Sequence, residues 1–260
     1  MSNQQSYQKR LPGICLFILV LGAVFSLHFT RPGLTKIKTG FVRIIFKNTV
    51  KGAPLVLNDS AYTNVFDEPY RVTKFKYYIS NIGLLNPVGR QKEISGYHLI
   101  DAAVPASQGF SFKIKAGEYH SIFFLAGVDS ARNCSGAQTG ALDPMNDMFW
   151  TWNSGYVMAK LEGRSAVSSS INNRMEYHIG GYKGVNRVLQ EVMISAATPI
   201  LIREGKTTEV IIETDLSKWW QAGDPVTIKE TPICTTPGEL AGKISVNYRN
   251  MFTLQSIKND

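Results

Sequence analysis

From residue 41 onward apolar side chains return at every second position, and no other feature restricts the fold of this chain as strongly. A strand points successive side chains to opposite faces, so a period of two marks a strand with one face buried. In the segment 41–47, Val42, Ile44 and Phe46 share a face. In 71–82, Phe75, Tyr77 and Ile79 alternate with Lys74, Lys76 and Ser80. In 110–114, Phe110, Phe112 and Ile114 lie opposite Ser111 and Lys113. The run 117–128 begins half-buried and ends wholly apolar. Further strands are predicted over 155–161, 174–179, 187–195, 208–214 and 244–248. Turn signals separate them at Asn86-Pro87, Ala116-Gly117, Arg203-Glu204-Gly205 and Gly223-Asp224-Pro225. Helical signal is confined to 216–223, a short helix with Asp215 as its cap. Thirteen Phe, 11 Tyr, 4 Trp and 22 Gly among 260 residues suit strands and tight turns. The expectation is an all-β, β-sandwich-like single domain over 40–260 with a long ordered loop from Asp129 to Asn153, preceded by an N-terminal apolar helix.

That N-terminal segment runs from Leu11 to Phe29 without Asp, Glu, Lys or Arg, and basic residues flank it on both sides. Its length just suffices to cross a bilayer core as a helix. Residues 1–39 are therefore read as a signal peptide, with Val24 and Ser26 before a cut, or as an uncleaved signal anchor, plus a short linker. Either way the body is expected in the periplasm, free or held at the outer face of the inner membrane. The net charge of +8 fits this reading: Lys9, Arg10, Arg31, Lys36 and Lys38 supply five of the eight, and residues 1–40 contain no acid. A nucleic-acid binder would carry its excess charge on the folded body, so nucleic acid is not an expected partner. In an oxidising compartment Cys134 and Cys234 are either bridged or two separate thiols. A bridge would add about 4–5 kcal/mol in the chain-entropy picture.

The body lacks HExxH, CxxC, GxSxG and GxGxxG. Gly238 to Lys243 is one residue short of a phosphate loop. Outside the apolar segment only His98, His120 and His178 remain for acid–base work. The chain is read as a binding protein and not as an enzyme.

Between Gly127 and Gly181 several rare combinations fall in order. They are Gly127-Val128, Leu142-Asp143-Pro144, Met148-Phe149-Trp150-Thr151-Trp152, Ser154-Gly155-Tyr156, Lys160 and His178-Ile179-Gly180. Upstream stands Phe75-Lys76-Tyr77-Tyr78-Ile79-Ser80-Asn81, and downstream Asn247-Tyr248 and Met251-Phe252. Over roughly residues 41–257 this pattern resembles the MbnP family of periplasmic, copper-associated proteins, in the form common among Bacteroidetes. The resemblance implies an exported, mostly β protein associated with copper, with a dihaem peroxidase-like enzyme as partner. In methanotroph members the copper site consists of two histidines and a tryptophan that the partner oxidises to kynurenine. His178 matches one of these histidines. The second falls on Cys134, after Asn133, and the modified tryptophan falls on Arg132.

The candidate ligands are thus His178, Cys134 and Met148, because imidazole and soft sulfur suit copper. Cys134 cannot both ligate and pair with Cys234. Alternatively His178 is a strand histidine bonded to a neighbouring loop and Met148 fills the core. Trp150 and Trp152 alternate on one face with Tyr156 nearby, and either line a pocket or pack the core. Asp129 and Asp143 read as turn residues that bond their own backbone, or as carboxylates holding the long loop. The rival reading of the whole chain is an interaction module without metal, binding a partner protein or a glycan through the aromatic loop 129–156.

Overall fold

The computed structural model describes residues 37–93, 96–150 and 155–260, and residues 37–260 form one compact unit. The apolar N-terminal segment lies outside the described residues. The strands are β1 (Thr39–Val50), β2 (Ala53–Pro54), β3 (Tyr62–Thr63), β4 (Pro69–Asn86), β5 (Gly89–Lys92), β6 (Tyr97–Asp101), β7 (Gly109–Lys115) and β8 (Gly117–Ala126). Helix α1 (Ser130–Asn133) follows, then β9 (Phe149–Trp150), β10 (Gly155–Arg164), β11 (Arg174–Gly180), β12 (Gln190–Ile202), β13 (Thr207–Asp215) and β14 (Ile233–Cys234). Helix α2 (Glu239–Arg249) and β15 (Phe252–Lys258) close the chain.

The strands form two sheets. In the smaller the order is β15-β13-β1-β2, with β7 also paired to β1. Its central pair is parallel, from Phe41 opposite Thr207 to Thr49 opposite Asp215. In the larger the order is β12-β8-β4-β10-β11-β14, with β3, β5 and β6 attached to β4 and β9 to β10. The alternation places Val42, Ile44 and Phe46 of β1 inward, all fully buried, against Phe75, Tyr77 and Ile79 of β4. Phe46 meets Tyr77 at 6.1 Å and Phe124 at 5.8 Å between ring centroids, so the two sheets pack face to face through aromatic edges. The all-β, sandwich-like expectation holds.

Two local expectations fail. Residues 244–248 are not a strand but part of α2. Ile244, Val246 and Tyr248 do recur at every second position, but Val246 is exposed, whereas Ala241, Ile244, Ser245 and Tyr248 recur at three- and four-residue steps and are all buried. Glu239 in the first turn and Arg249 in the last suit the helix dipole, and Glu239 pairs with Lys243 one turn on at 2.9 Å. Conversely, 216–223 holds only a 3-10 turn, Leu216–Trp219. Asp215 caps it by accepting from the Ser217 N–H at 3.0 Å. The chain then leaves the turn because Ala222 and Asp224 donate their N–H groups to the buried Asn247 side chain of α2.

Candidate functional site

The three middle strands of the larger sheet carry charge on one face. Lys74 and Lys76 lie on β4, Lys160 and Glu162 on β10, Glu176 and His178 on β11. Register aligns Lys76 with Lys160 and Lys160 with His178, while Lys74 lies opposite Glu162 and Glu162 opposite Glu176. Three neighbouring ammonium groups would repel one another without compensation. Asp101 of β6 compensates Lys76 at 3.1 Å, and the long loop compensates the other two. Its turn Pro144–Asn146 is capped by Asp143, whose carboxylate accepts from the Met145 N–H at 2.9 Å. The next residue, Asp147, adopts the left-handed conformation at φ 61. This aims its carboxylate at Lys74, 2.7 Å away, and at Lys160, 3.0 Å away. Burial alone would raise the Asp147 pKa, but the two lysines hold it down to about 2.

His178 belongs to this row. Its Nε2 lies 2.8 Å from Glu162 Oε1. That hydrogen bond is the largest influence on Glu162 and, with the Lys74 charge, holds the carboxyl down to about 2 against burial. A carboxylate–imidazole pair orients the ring of a metal-ligating histidine in many proteins, and it equally closes an ion-paired strand face. Here Lys74 stands 3.2 Å and Lys160 3.8 Å from the same carboxylate, so the surroundings are those of an ion-paired network.

Next to this row the loop builds an aromatic end. Asp129 caps α1 by accepting from the Arg132 N–H at 3.1 Å. The buried Asn133 accepts from the Tyr156 N–H at 3.0 Å, and the Tyr156 hydroxyl donates to the Leu142 carbonyl at 2.7 Å. Trp150 lies over Gly180, where an added Cβ would stand 2.4 Å from the indole ring. Glycine at this position is what lets the ring approach the strand. Trp150, Tyr156, Tyr182, Lys183, Asn186 and Pro237 line an open hollow of about 250 Å³. Cys134 sits exposed at the end of α1, and its thiol beside the Tyr182 hydroxyl raises the Tyr182 pKa.

The structure thus joins Trp150 and Tyr156 in one hollow, with Cys134 beside Tyr182 of its lining, and leaves the other candidates elsewhere. Met148 is wholly buried in the core. Trp152 lies outside the described residues. The Cys134–Cys234 bridge is not formed: Cys134 is an exposed thiol at the end of α1, whereas Cys234 is a buried thiol on β14 opposite Tyr177. Burial pushes the Cys234 thiol up to about 11. Sequence reasoning passed over Tyr182 and Lys183, which follow the Ile179-Gly180-Gly181 run directly, and the buried state of Lys160.

These features define a class: a β-sandwich domain whose long loop, pinned by ion pairs to one sheet face, presents an aromatic end. The model of one family, MbnP, matches residues 39–236, and the chain belongs to the MbnP family. Among solved structures, MbnP from Methylosinus trichosporium is similar at 12% identity and a TM-score of 0.47, covering 73% of this chain and 80% of that one. No curated protein matches.

The residues do not fit a copper site of two histidines and an oxidised tryptophan. The resemblance puts those three positions at Arg132, Cys134 and His178, of which one is a histidine and none a tryptophan. His178 is engaged with Glu162, and Cys134 is an exposed thiol beside Tyr182. Among the described residues no group of three or more His, Cys, Asp or Glu converges in a way that could hold a metal ion.

Proposed function

We propose that this MbnP-family chain is an exported, non-catalytic binding protein that takes a partner protein or a glycan at the aromatic end of its long loop. The observation that carries this reading is the hollow lined by Trp150, Tyr156, Tyr182, Lys183, Asn186 and Pro237. Aromatic faces beside amide and ammonium donors suit a sugar ring or a peptide segment, since one part of such a ligand is apolar and the other polar. The pinned loop supports it as well, because a preformed surface loses less entropy on binding than a mobile one. The apolar run 11–29 supports delivery to the periplasm, anchored at the inner membrane or released.

Copper association is the second reading. Family membership favours it, and so does the His178–Glu162 pair, which has the arrangement of an oriented metal ligand. Under this reading a dihaem peroxidase-like enzyme is the partner.

The test uses the full-length protein exported in its host. A photo-crosslinking maleimide is attached at Cys134 and crosslinked products are compared between the wild type and Trp150→Ala. A defined product that depends on Trp150 supports the binding-module reading. Copper content and intact mass are measured on unlabelled protein in parallel. Near-stoichiometric copper that falls in His178→Ala, with no Trp150-dependent crosslink, would replace that reading with the copper one.

A further inference from the structure

A second cavity, of about 700 Å³, opens over β8 and β12 and shares no lining residue with the aromatic hollow. Its size lies in the range of small-molecule sites, roughly 300–1,000 Å³. The register explains why it exists. Phe123 of β8 stands opposite Met193 of β12, and Leu125 opposite Glu191. On the other side Phe123 faces Gly83 of β4, which has no side chain to fill the row. Arg90 reaches across this gap from β5, and its guanidinium lies 4.8 Å from the centre of the Phe123 ring. The floor is therefore apolar, and Met193 remains 52% exposed on it.

The rim is cationic. Arg90, Arg187 and Arg249 arrive from three separate elements, β5, the segment before β12 and the end of α2. None of the three makes an ion pair among the described residues, although Lys38, Lys74, Lys76, Lys160, Arg174, Lys243 and Lys258 all do. Two carboxylates also border the cavity, Asp129 and Glu191. Asp129 is already engaged: the Tyr97 hydroxyl, the Asn81 side chain and the Arg132 N–H all donate to it. These hydrogen bonds hold the Asp129 carboxyl ionised, so three guanidinium groups stand against two carboxylates and the rim keeps a net positive charge. Guanidinium groups bind carboxylate and sulfonate-like anions through paired N–H donors, and Arg also stacks on flat rings.

We propose that this cavity is a binding site for a small amphipathic organic anion, a carboxylate or sulfonate with a flat or alkyl apolar body. The apolar part lies on Phe123, Leu125 and Met193, and the anionic group meets Arg90, Arg187 and Arg249. Its lining residues are distinct from those of the aromatic hollow.

The probes are 2-naphthoate and its uncharged counterpart 2-naphthamide, titrated calorimetrically into the full chain held in lipid nanodiscs, with empty nanodiscs subtracted. The expected result is one site for 2-naphthoate and weaker binding of the amide. Joint replacement Arg90→Gln, Arg187→Gln and Arg249→Gln weakens 2-naphthoate about tenfold or more, the scale of one charge-assisted bond, and weakens the amide clearly less. Met193→Gln weakens both probes, which places them on this floor, and Arg43→Gln on the other sheet changes neither. Equal binding of the two probes, an unchanged affinity in the triple variant, or no 2-naphthoate binding at millimolar concentration overturns the proposal.

Discussion

Lys160 and Asp147 meet at 3.0 Å, the ammonium from the middle of the larger sheet and the carboxylate from the tip of the loop above it. The Lys160 side chain is only 4% exposed, whereas Asp147 is 57% exposed. The loop is held because a nearly buried cation needs a counter-charge, and Asp147 is bound from below by two lysines at once. Binding-end geometry and sheet electrostatics are thereby one problem.

The two members of this pair should not be equivalent. Asp147→Asn leaves the Lys160 ammonium nearly buried with only Glu162 at 3.8 Å for compensation. A loss of about 1–2 kcal/mol is expected, reduced from the fully buried case because Asp147 faces solvent. Lys160→Met removes the buried charge itself and leaves Asp147 paired with Lys74, so stability should change by less than about 1 kcal/mol. Urea unfolding of both variants checks the order, and a larger loss for Lys160→Met would contradict it.

Acid should unlock the same row. The Glu162 carboxyl is held at about 2 instead of the ordinary 4.5, first by the His178 hydrogen bond and then, against burial, by Lys74. A carboxyl with a depressed folded-state pKa stabilises the fold above its unfolded pKa, and that contribution is lost as pH falls from about 4.5 toward 2. His178→Ala removes the largest cause, so Glu162 titrates nearer its ordinary value. The variant should be less stable than the wild type at pH 7, with the gap narrowing as pH falls through this window. Denaturant unfolding at neutral pH and near the low end of the window measures it, and an equal gap at both would show that His178 acts by packing alone.

The inward faces of β1, β4 and β8 were legible because alternation reports burial directly: Val42, Ile44, Phe46, Phe75, Tyr77 and Ile79 are all in the core. The charged row was legible as polar positions on three strands, yet its pairing was not. Lys74 and Glu162 lie 88 positions apart in the sequence, and their meeting depends on a register set by distant turns. The α2 segment satisfies both periods, and only packing against the sheet decides between them. The thiols failed for a similar reason, since sequence spacing carries no information on where two chain points meet in space.

The two thiols of the body should differ in reactivity. Cys134 is exposed, while Cys234 is buried and burial pushes its pKa up to about 11. The thiolate is the reacting form, so brief alkylation of the native protein followed by peptide mapping should modify Cys134 and leave Cys234 until the chain is unfolded. Loss of alkylation at both sites, restored by reductant, would mean that they pair after all.

Gly180 should be intolerant of a methyl group. An added Cβ would stand 2.4 and 2.6 Å from two Trp150 ring atoms and 3.0 Å from the Tyr156 carbonyl oxygen. The ring must shift, since backbone closes the other side. Gly180→Ala is expected to cost about 1–3 kcal/mol. It should also change tryptophan emission, an effect that Trp150→Phe in the same background would remove. Unchanged emission together with wild-type stability would place Trp150 away from the strand.

Glu68 makes the last prediction, because it joins two loops that have no strand pairing between them. It is buried, and its carboxylate accepts from the Asn64 side chain at 2.7 Å and from the N–H groups of Ile228 and Lys229 at 2.7 and 2.9 Å. Its own N–H donates to the Asn64 side-chain oxygen at 3.0 Å, so the 64–68 turn and the 228–229 segment share one acceptor. Glu68→Ala leaves two backbone donors without their partner beside the buried Ile228. Each such donor costs about 1–3 kcal/mol, which makes the expected loss the largest of these substitutions, about 2–4 kcal/mol. Glu68→Gln keeps one accepting oxygen and places an amide where Ile228 or Lys229 donates, so an intermediate loss is expected. Hydrogen exchange should locate the effect, with the Ile228 and Lys229 amides losing protection in both variants. Exchange there that stays as slow as in the wild type would mean that the segment is held by the packing of Val226 and Ile228 and not by the carboxylate.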